Sequence, residues 1–72
     1  MTDSAALSVS VNGDPRSIDA GTTLEALVAT LTAAPSGVAA AVNETVVPRS
    51  RWSTAALADG DRIEVLTAVQ GG

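Results

Sequence analysis

From Leu7 the chain alternates between apolar and polar positions. Leu7, Val9 and Val11 point to one side, and Ser8, Ser10 and Asn12 to the other. That period of two predicts a half-buried strand. Asn12-Gly13-Asp14-Pro15 is a turn signal, and Arg16 to Ala20 continues as a second strand with Ile18 inward, closing a hairpin. After Gly21 the period changes. Leu24, Leu27, Val28 and Leu31 fall at i, i+3, i+4 and i+7, one apolar stripe of a helix from about Thr23 to Leu31. Thr22 and Glu25 fit a capping box at its start, and Pro35 and Gly37 stop it.

Val38, Ala40 and Val42 then alternate with Ala39, Ala41 and Asn43. The alanine-rich neighbours predict a third strand buried on both faces, as a central strand is. Asn43-Glu44 turns into a short strand, Thr45 to Val47, which Pro48 ends. Residues 48–58 have no clean period, and Trp52 and Leu57 are their expected anchors. Asp59-Gly60-Asp61 turns again. Arg62 to Thr67 is the last strand, with Ile63 and Val65 inward and Arg62, Glu64 and Leu66 outward. The order strand, strand, helix, strand, strand, strand predicts an α+β fold. A mixed sheet of about five strands with one main helix packed across it is the β-grasp, or ubiquitin-like, arrangement, the helix acting as crossover. The expected core is Val9, Val11, Ile18, Leu24, Leu27, Val28, Leu31, Val42, Ile63 and Val65. Residues 1–6 read as a disordered N-terminal extension, 7–67 as the domain and 68–72 as a flexible C-terminal tail. No internal repeat interrupts this plan.

Composition narrows the chemistry. With 72 residues there is one domain, too small to give up core to a large catalytic cavity. Hydrophobic residues make up 46%, much of it alanine, and Trp52 is the single aromatic, so the core is aliphatic. The absence of Cys and His excludes a disulfide framework, a Cys/His zinc site, a thiol nucleophile and imidazole acid–base chemistry. The first residues carry no basic, apolar signal segment, and nothing later is long enough to span a bilayer. The expected setting is the cytoplasm, without a membrane partner. Eight acidic residues stand against four Arg and no Lys, giving a formal charge of −4. Such a surface repels nucleic acid and suits a basic protein partner.

The chain ends in Gly71-Gly72, reached through Ala68-Val69-Gln70 directly after the last strand. Two residues without Cβ atoms can thread a narrow channel. Extended, residues 68–72 reach roughly 17 Å, enough to place the Gly72 carboxylate in another enzyme's active site. A carboxylate must be activated before it reacts, typically by adenylation. The ATP site for that step falls to a partner, because Gly37 and Gly60 are isolated and form no phosphate loop. The other candidates have plainer readings. Asp59 and Asp61 fit a turn better than a metal site. Arg49 and Arg51 read as a solvated pair on a loop. Trp52 reads as a packing plug. Leu66, outward beside the tail, is either a second-face core contact, a single exposed apolar residue, or a docking anchor for a partner that grips the base of the tail.

Several stretches resemble the ThiS family, the sulfur carriers of thiamine thiazole biosynthesis. They are Val9-Ser10-Val11-Asn12-Gly13, Ala20-Gly21-Thr22-Thr23-Leu24, and Val42-Asn43-Glu44-Thr45-Val46-Val47-Pro48-Arg49-Ser50 with Trp52. To these add Asp59-Gly60-Asp61-Arg62-Ile63-Glu64 and the end Thr67-Ala68-Val69-Gln70-Gly71-Gly72. Asn43-Glu44-Thr45 departs from the commoner Asn-Gly-Glu, and residues 1–6 precede the usual start. The resemblance implies a substrate of other enzymes rather than an enzyme, with no stably bound cofactor and no metal. An E1-like adenylyltransferase of the ThiF type uses ATP to adenylate Gly72. A persulfide relay protein supplies sulfur, and a thiazole synthase of the ThiG type takes it from the resulting thiocarboxylate. The small subunit of molybdopterin synthase and a carrier for cysteine synthesis share the fold and the Gly-Gly end. Val47-Pro48-Arg49 and Ala68-Val69-Gln70 favour the thiazole carrier. In a plain β-grasp binding module, by contrast, Gly71-Gly72 would be incidental.

Overall fold

The structure is a computed structural model and describes residues 6–32 and 37–67. Its elements are β1 (Ala6–Val11), β2 (Asp14–Asp19), α1 (Leu24–Leu31), β3 (Val38–Val42), β4 (Thr45–Val47), a 3₁₀ turn (Arg49–Thr54) and β5 (Arg62–Thr67). The five strands form one sheet in the order β2-β1-β5-β3-β4. Only β1 and β5 pair in parallel, and the other neighbours are antiparallel. Helix α1 carries the chain from β2, at one edge, to the far side of β5, as the β-grasp reading requires. No helix among the described residues is long and apolar enough to cross a membrane.

Both tight hairpins turn through asparagine. Asn12 and Gly13 have φ of +53° and +87°, Asn43 and Glu44 of +53° and +73°. Two consecutive positive-φ residues make the turn whose twist matches that of the strands it joins. Glycine reaches these angles without strain, whereas Glu44 carries a Cβ there. The edge at β2 is blunted. Ser10 and Asn12 donate their N–H groups towards β5, to Asp61 and Ile63. The odd residues of β1 therefore bond β2, and the backbones of Pro15, Ser17 and Asp19 face the open edge. Proline falls where its missing N–H leaves an incoming strand unpaired.

The core lies between the sheet and α1. Val9, Val11, Leu24, Leu27, Val28, Ala40, Trp52, Leu57, Ile63 and Val65 are buried. Ile18, Leu31 and Val42, expected in that core, are half-buried and pack at its rim with Leu7, Val38 and Val47. Trp52 plugs one end of it. Its indole N–H donates to the Val47 carbonyl at 2.9 Å, so the ring is buried with its polar atom satisfied.

Three expectations change. The helix cap is Thr23, not Thr22: the Thr23 hydroxyl accepts from Ala26 N–H, while the Thr22 hydroxyl donates to the Asp19 carbonyl. The capping box with Glu25 is thereby displaced. The backbone explains the shift, since Leu24 N–H and the Thr22 carbonyl are bonded to Ala55 and Leu57, tying the helix start to the later loop. Second, β3 is not buried on both faces. Ala40 is buried, but Ala39 is exposed and Ala41 half-buried. One helix covers one face, and the central strand is β5. Third, β1 opens at Ala6 and β2 runs over Asp14–Asp19, each slightly earlier than the alternation suggested.

Candidate functional site

The strand that leads into the Gly-Gly end is the central one of the sheet. β5 lies between β1 and β3, and its register with β3 is unbroken from Val42↔Ile63 to Val38↔Thr67. Residues 68–72, with Ala68, Val69, Gln70, Gly71 and Gly72, lie outside the described residues, as do residues 1–5 of the expected N-terminal extension.

The start of β5 is fixed by the Asp59-Gly60-Asp61 turn. Gly60 supplies a φ of +88°. The Asp59 carboxylate accepts from Ser8 N–H at 2.7 Å, and Asp61 accepts from Ala58 N–H at 2.8 Å and from the Asn43 amide at 3.0 Å. Both carboxylates are thus turned onto donors of the protein, which is the turn role read from the sequence. Among the described residues no group of three or more Asp, Glu, His or Cys gathers to hold a metal ion. Asn43 also accepts from Arg62 N–H at 3.0 Å and donates its own backbone N–H to the Arg62 carbonyl at 2.8 Å. Asn12 does a similar job higher up. Its side-chain oxygen accepts from Val65 N–H at 2.9 Å and its side-chain nitrogen donates to the Val65 carbonyl at 3.2 Å.

The open face of the sheet carries the docking candidate. Leu66 is 69% exposed, which removes the second-face core reading. Opposite it on β3 stands Ala39, and beyond it Val46 on β4, also 69% exposed, pairs with Ala41. Leu66 and Val46 therefore flank a strip of small residues on one face. Arg62 and Glu64 lie on the same face of β5, and Arg62 reaches Glu44 at 3.2 Å across open solvent. Val46 was not singled out in the sequence. The signal was present, since strict alternation from Thr45 to Val47 puts it opposite Val47, but a three-residue strand gives that alternation little weight. Arg49 and Arg51 are exposed, and Arg49 lies over the Trp52 ring at 5.9 Å from its centroid. It covers the plug rather than joining the Leu66 face.

The ThiS family model matches residues 9–72. A thiazole synthase of Magnetococcus marinus is 39% identical over 66 residues, which is 92% of this chain but only 20% of the synthase. The chain therefore spans about a fifth of that relative's length. The sulfur carrier protein ThiS of Escherichia coli is 36% identical over 53 residues, covering 74% of this chain and 80% of that protein. Among solved structures, the thiamine biosynthesis protein ThiS of Geobacter metallireducens superposes with a TM-score of 0.75 at 28% identity, covering 92% of this chain and all of the other. A five-stranded mixed sheet crossed by one helix, matched in sequence through its Gly-Gly end, identifies the chain as a member of the ThiS family of ubiquitin-like sulfur carriers.

Proposed function

We propose that the chain carries sulfur on the Gly72 carboxylate, for the thiazole ring of thiamine. One observation carries the reading: the family match continues past β5 through Gly71 and Gly72. In the first step a carboxylate oxygen of Gly72 attacks the α-phosphorus of ATP on an E1-like adenylyltransferase, and pyrophosphate leaves. The terminal sulfur of a persulfide on a relay protein then attacks the acyl carbon and AMP leaves, giving an acyl disulfide. A partner thiol breaks that S–S bond, forming a disulfide of its own and releasing the thiocarboxylate. The thiazole synthase takes the sulfur from there. The chain supplies no catalytic group and holds no cofactor; ATP belongs to the activating partner.

The docking face is Leu66, next to the last residue of β5, with Val46 across β3, the two exposed large hydrophobic side chains among the described residues. The acidic surface steers the carrier towards basic partners. A synthase partner is supported by the Magnetococcus relative, in which a stretch like this chain and a thiazole synthase share one polypeptide. Such linkage gives two groups a high effective concentration, which is useful only if they meet. The reading is of a carrier that works in the cytoplasm with these partners.

The test is mass spectrometry of the chain after incubation with the adenylyltransferase, ATP and a sulfur source. The expected product has one oxygen replaced by sulfur, localised to Gly72. Deletion of Gly72 abolishes it. Gly71→Val blocks it as well, because a β-branched side chain is wide and stiff where the channel is narrow. Sulfur on the Gly72-deleted chain, or none on the intact chain with a working activator, refutes the reading in favour of a binding module.

A further inference from the structure

Strand β1 ends before the strand it pairs with. The two share only the pairs Ser10↔Arg62 and Val11↔Ile63. At Asn12, with φ of +53°, the chain turns through Gly13 into β2. Meanwhile β5 continues to Thr67, still paired with β3 on its other side. The peptide groups of Ile63, Val65 and Thr67 all turn to the β1 side, and beyond Ile63 there is no β1 residue paired with them. The Ile63 carbonyl is still met by Asn12 backbone N–H at 2.9 Å. Val65 is met by no backbone group of β1. Both its N–H and its carbonyl are taken by the Asn12 side chain, at 2.9 Å and 3.2 Å. A carboxamide presents a donor and an acceptor side by side, as a peptide does. Here it serves as one further rung of the ladder after the strand has left.

We infer that Asn12 is a positioning residue for sulfur loading, holding the exit end of β5 so that the terminal carboxylate is delivered in one direction. The inference rests on the carrier reading above. Without the carboxamide, Val65 keeps its packing in the core. Among the described residues, however, the end of β5 then keeps ladder hydrogen bonds to β3 alone, so that Thr67 beyond it is freer to swing about that one edge. A carrier docked through Leu66 and Val46 then still binds, but its end arrives at the activating site in fewer productive encounters. Asn43 provides the matched control. It has the same side chain and the same φ, and it clamps β5 at its start, on Arg62, rather than at its exit.

The experiment compares Asn12→Ala, Asn12→Gly, Asn12→Asp and Asn43→Ala as substrates of the E1-like adenylyltransferase, at a temperature where melting curves show all to be folded. Glycine accepts the positive φ and lacks only the carboxamide, so it separates side chain from backbone strain. For Asn12→Ala and Asn12→Gly the expected result is a fall in kcat of about tenfold to a hundredfold, the scale of a small misplacement, with KM for the carrier within about twofold. Asn12→Asp keeps the acceptor for Val65 N–H and is expected between these and the parent. Asn43→Ala leaves kcat near the parent value. A second readout is the backbone order parameter at Thr67 from ¹⁵N relaxation. It is expected to fall from about 0.85 to below about 0.6 in Asn12→Gly and to hold in Asn43→Ala. An unchanged order parameter, an unchanged kcat, or equal losses in the Asn12 and Asn43 variants overturns the inference. If the parent chain is not adenylated at all, the carrier reading is what has failed, and the positioning of β5 is decided by the order parameter alone.

Discussion

The exposure of Leu66 allows its role to be tested against its neighbours on the same strand. Truncation to alanine removes three carbon groups at about 0.8 kcal/mol each, about 2.4 kcal/mol if a partner buries them fully. Scaled by the 69% of Leu66 that is open to a partner, the loss is about 1.7 kcal/mol, roughly fifteen- to twentyfold in Kd. The same arithmetic for Val46→Ala, with two carbon groups at 69% exposure, gives about 1.1 kcal/mol. Leu66→Asp weakens binding further, since a carboxylate must be desolvated in the centre of the interface. Folding tells the opposite story. An exposed strand position costs below about 1 kcal/mol on truncation, a shift of at most about 8 °C in a domain of this size. Ile63→Ala, at 1% exposed on the other face of β5, costs about 2–5 kcal/mol. The assay pairs thermal melts by circular dichroism with calorimetric titration against the adenylyltransferase. Folded Leu66→Ala and Leu66→Asp variants that bind within about twofold of the parent would place the interface elsewhere. A Leu66→Ala melt as damaged as that of Ile63→Ala would refute the exposed placement itself.

Two further outcomes follow from the core and the turns. Leu27→Ala, at 2% exposed under the centre of α1, is expected to cost about 2–5 kcal/mol of a total near 5–15, read from urea unfolding; a loss below about 1 kcal/mol would contradict its burial. Glu44 sits at φ +73°, so Glu44→Gly is expected to melt above Glu44→Ala by the equivalent of about 1 kcal/mol, although both remove the ion pair to Arg62; the reverse order would show that the turn is unstrained.

Much of this architecture was legible because one-sided burial writes itself into alternation. Val9 and Val11, Ile63 and Val65, and the stripe Leu24, Leu27 and Val28 face the core as their spacing requires. β3 misled because alanine is compatible with both environments. Ala40 is buried and Ala39 exposed, and no side-chain chemistry distinguishes them. Their placement depends on which face the single helix covers. The cap misled for another reason. Thr22 and Thr23 are equally good caps locally, and the choice fell to backbone bonds with Ala55 and Leu57, more than thirty residues on. The turn roles of Asp59 and Asp61 were readable, but their partners Ser8 and Asn43 were not, being distant in the chain. For the same reason Asn12 looked like a turn residue and nothing more. Its second role depends on Val65 lying beside it, a separation of 53 positions.

The two asparagines also bear on how β5 can serve both faces at once. Along this strand Ile63 and Val65 supply core while Glu64 and Leu66 face outward. A slip of one residue would exchange the two sets, burying Glu64 and exposing Ile63. Backbone ladders alone resist such a slip weakly, because every rung is chemically alike. The Asn12 and Asn43 side chains add rungs at two fixed places. Each is anchored by its own tight turn, and together they grip Val65 from the β1 side and Arg62 from the β3 side. A slipped strand would turn the peptide groups of even-numbered residues towards Asn12, whose carboxamide bonds backbone and would accept them as readily, so the discrimination falls to Glu64 entering the core. Burial of the unpaired Glu64 carboxylate, with Ile63 exposed in exchange, is the penalty that holds the register. The outward placing of Leu66 is thus fixed by the burial of Ile63 and Val65, its neighbours on the same strand.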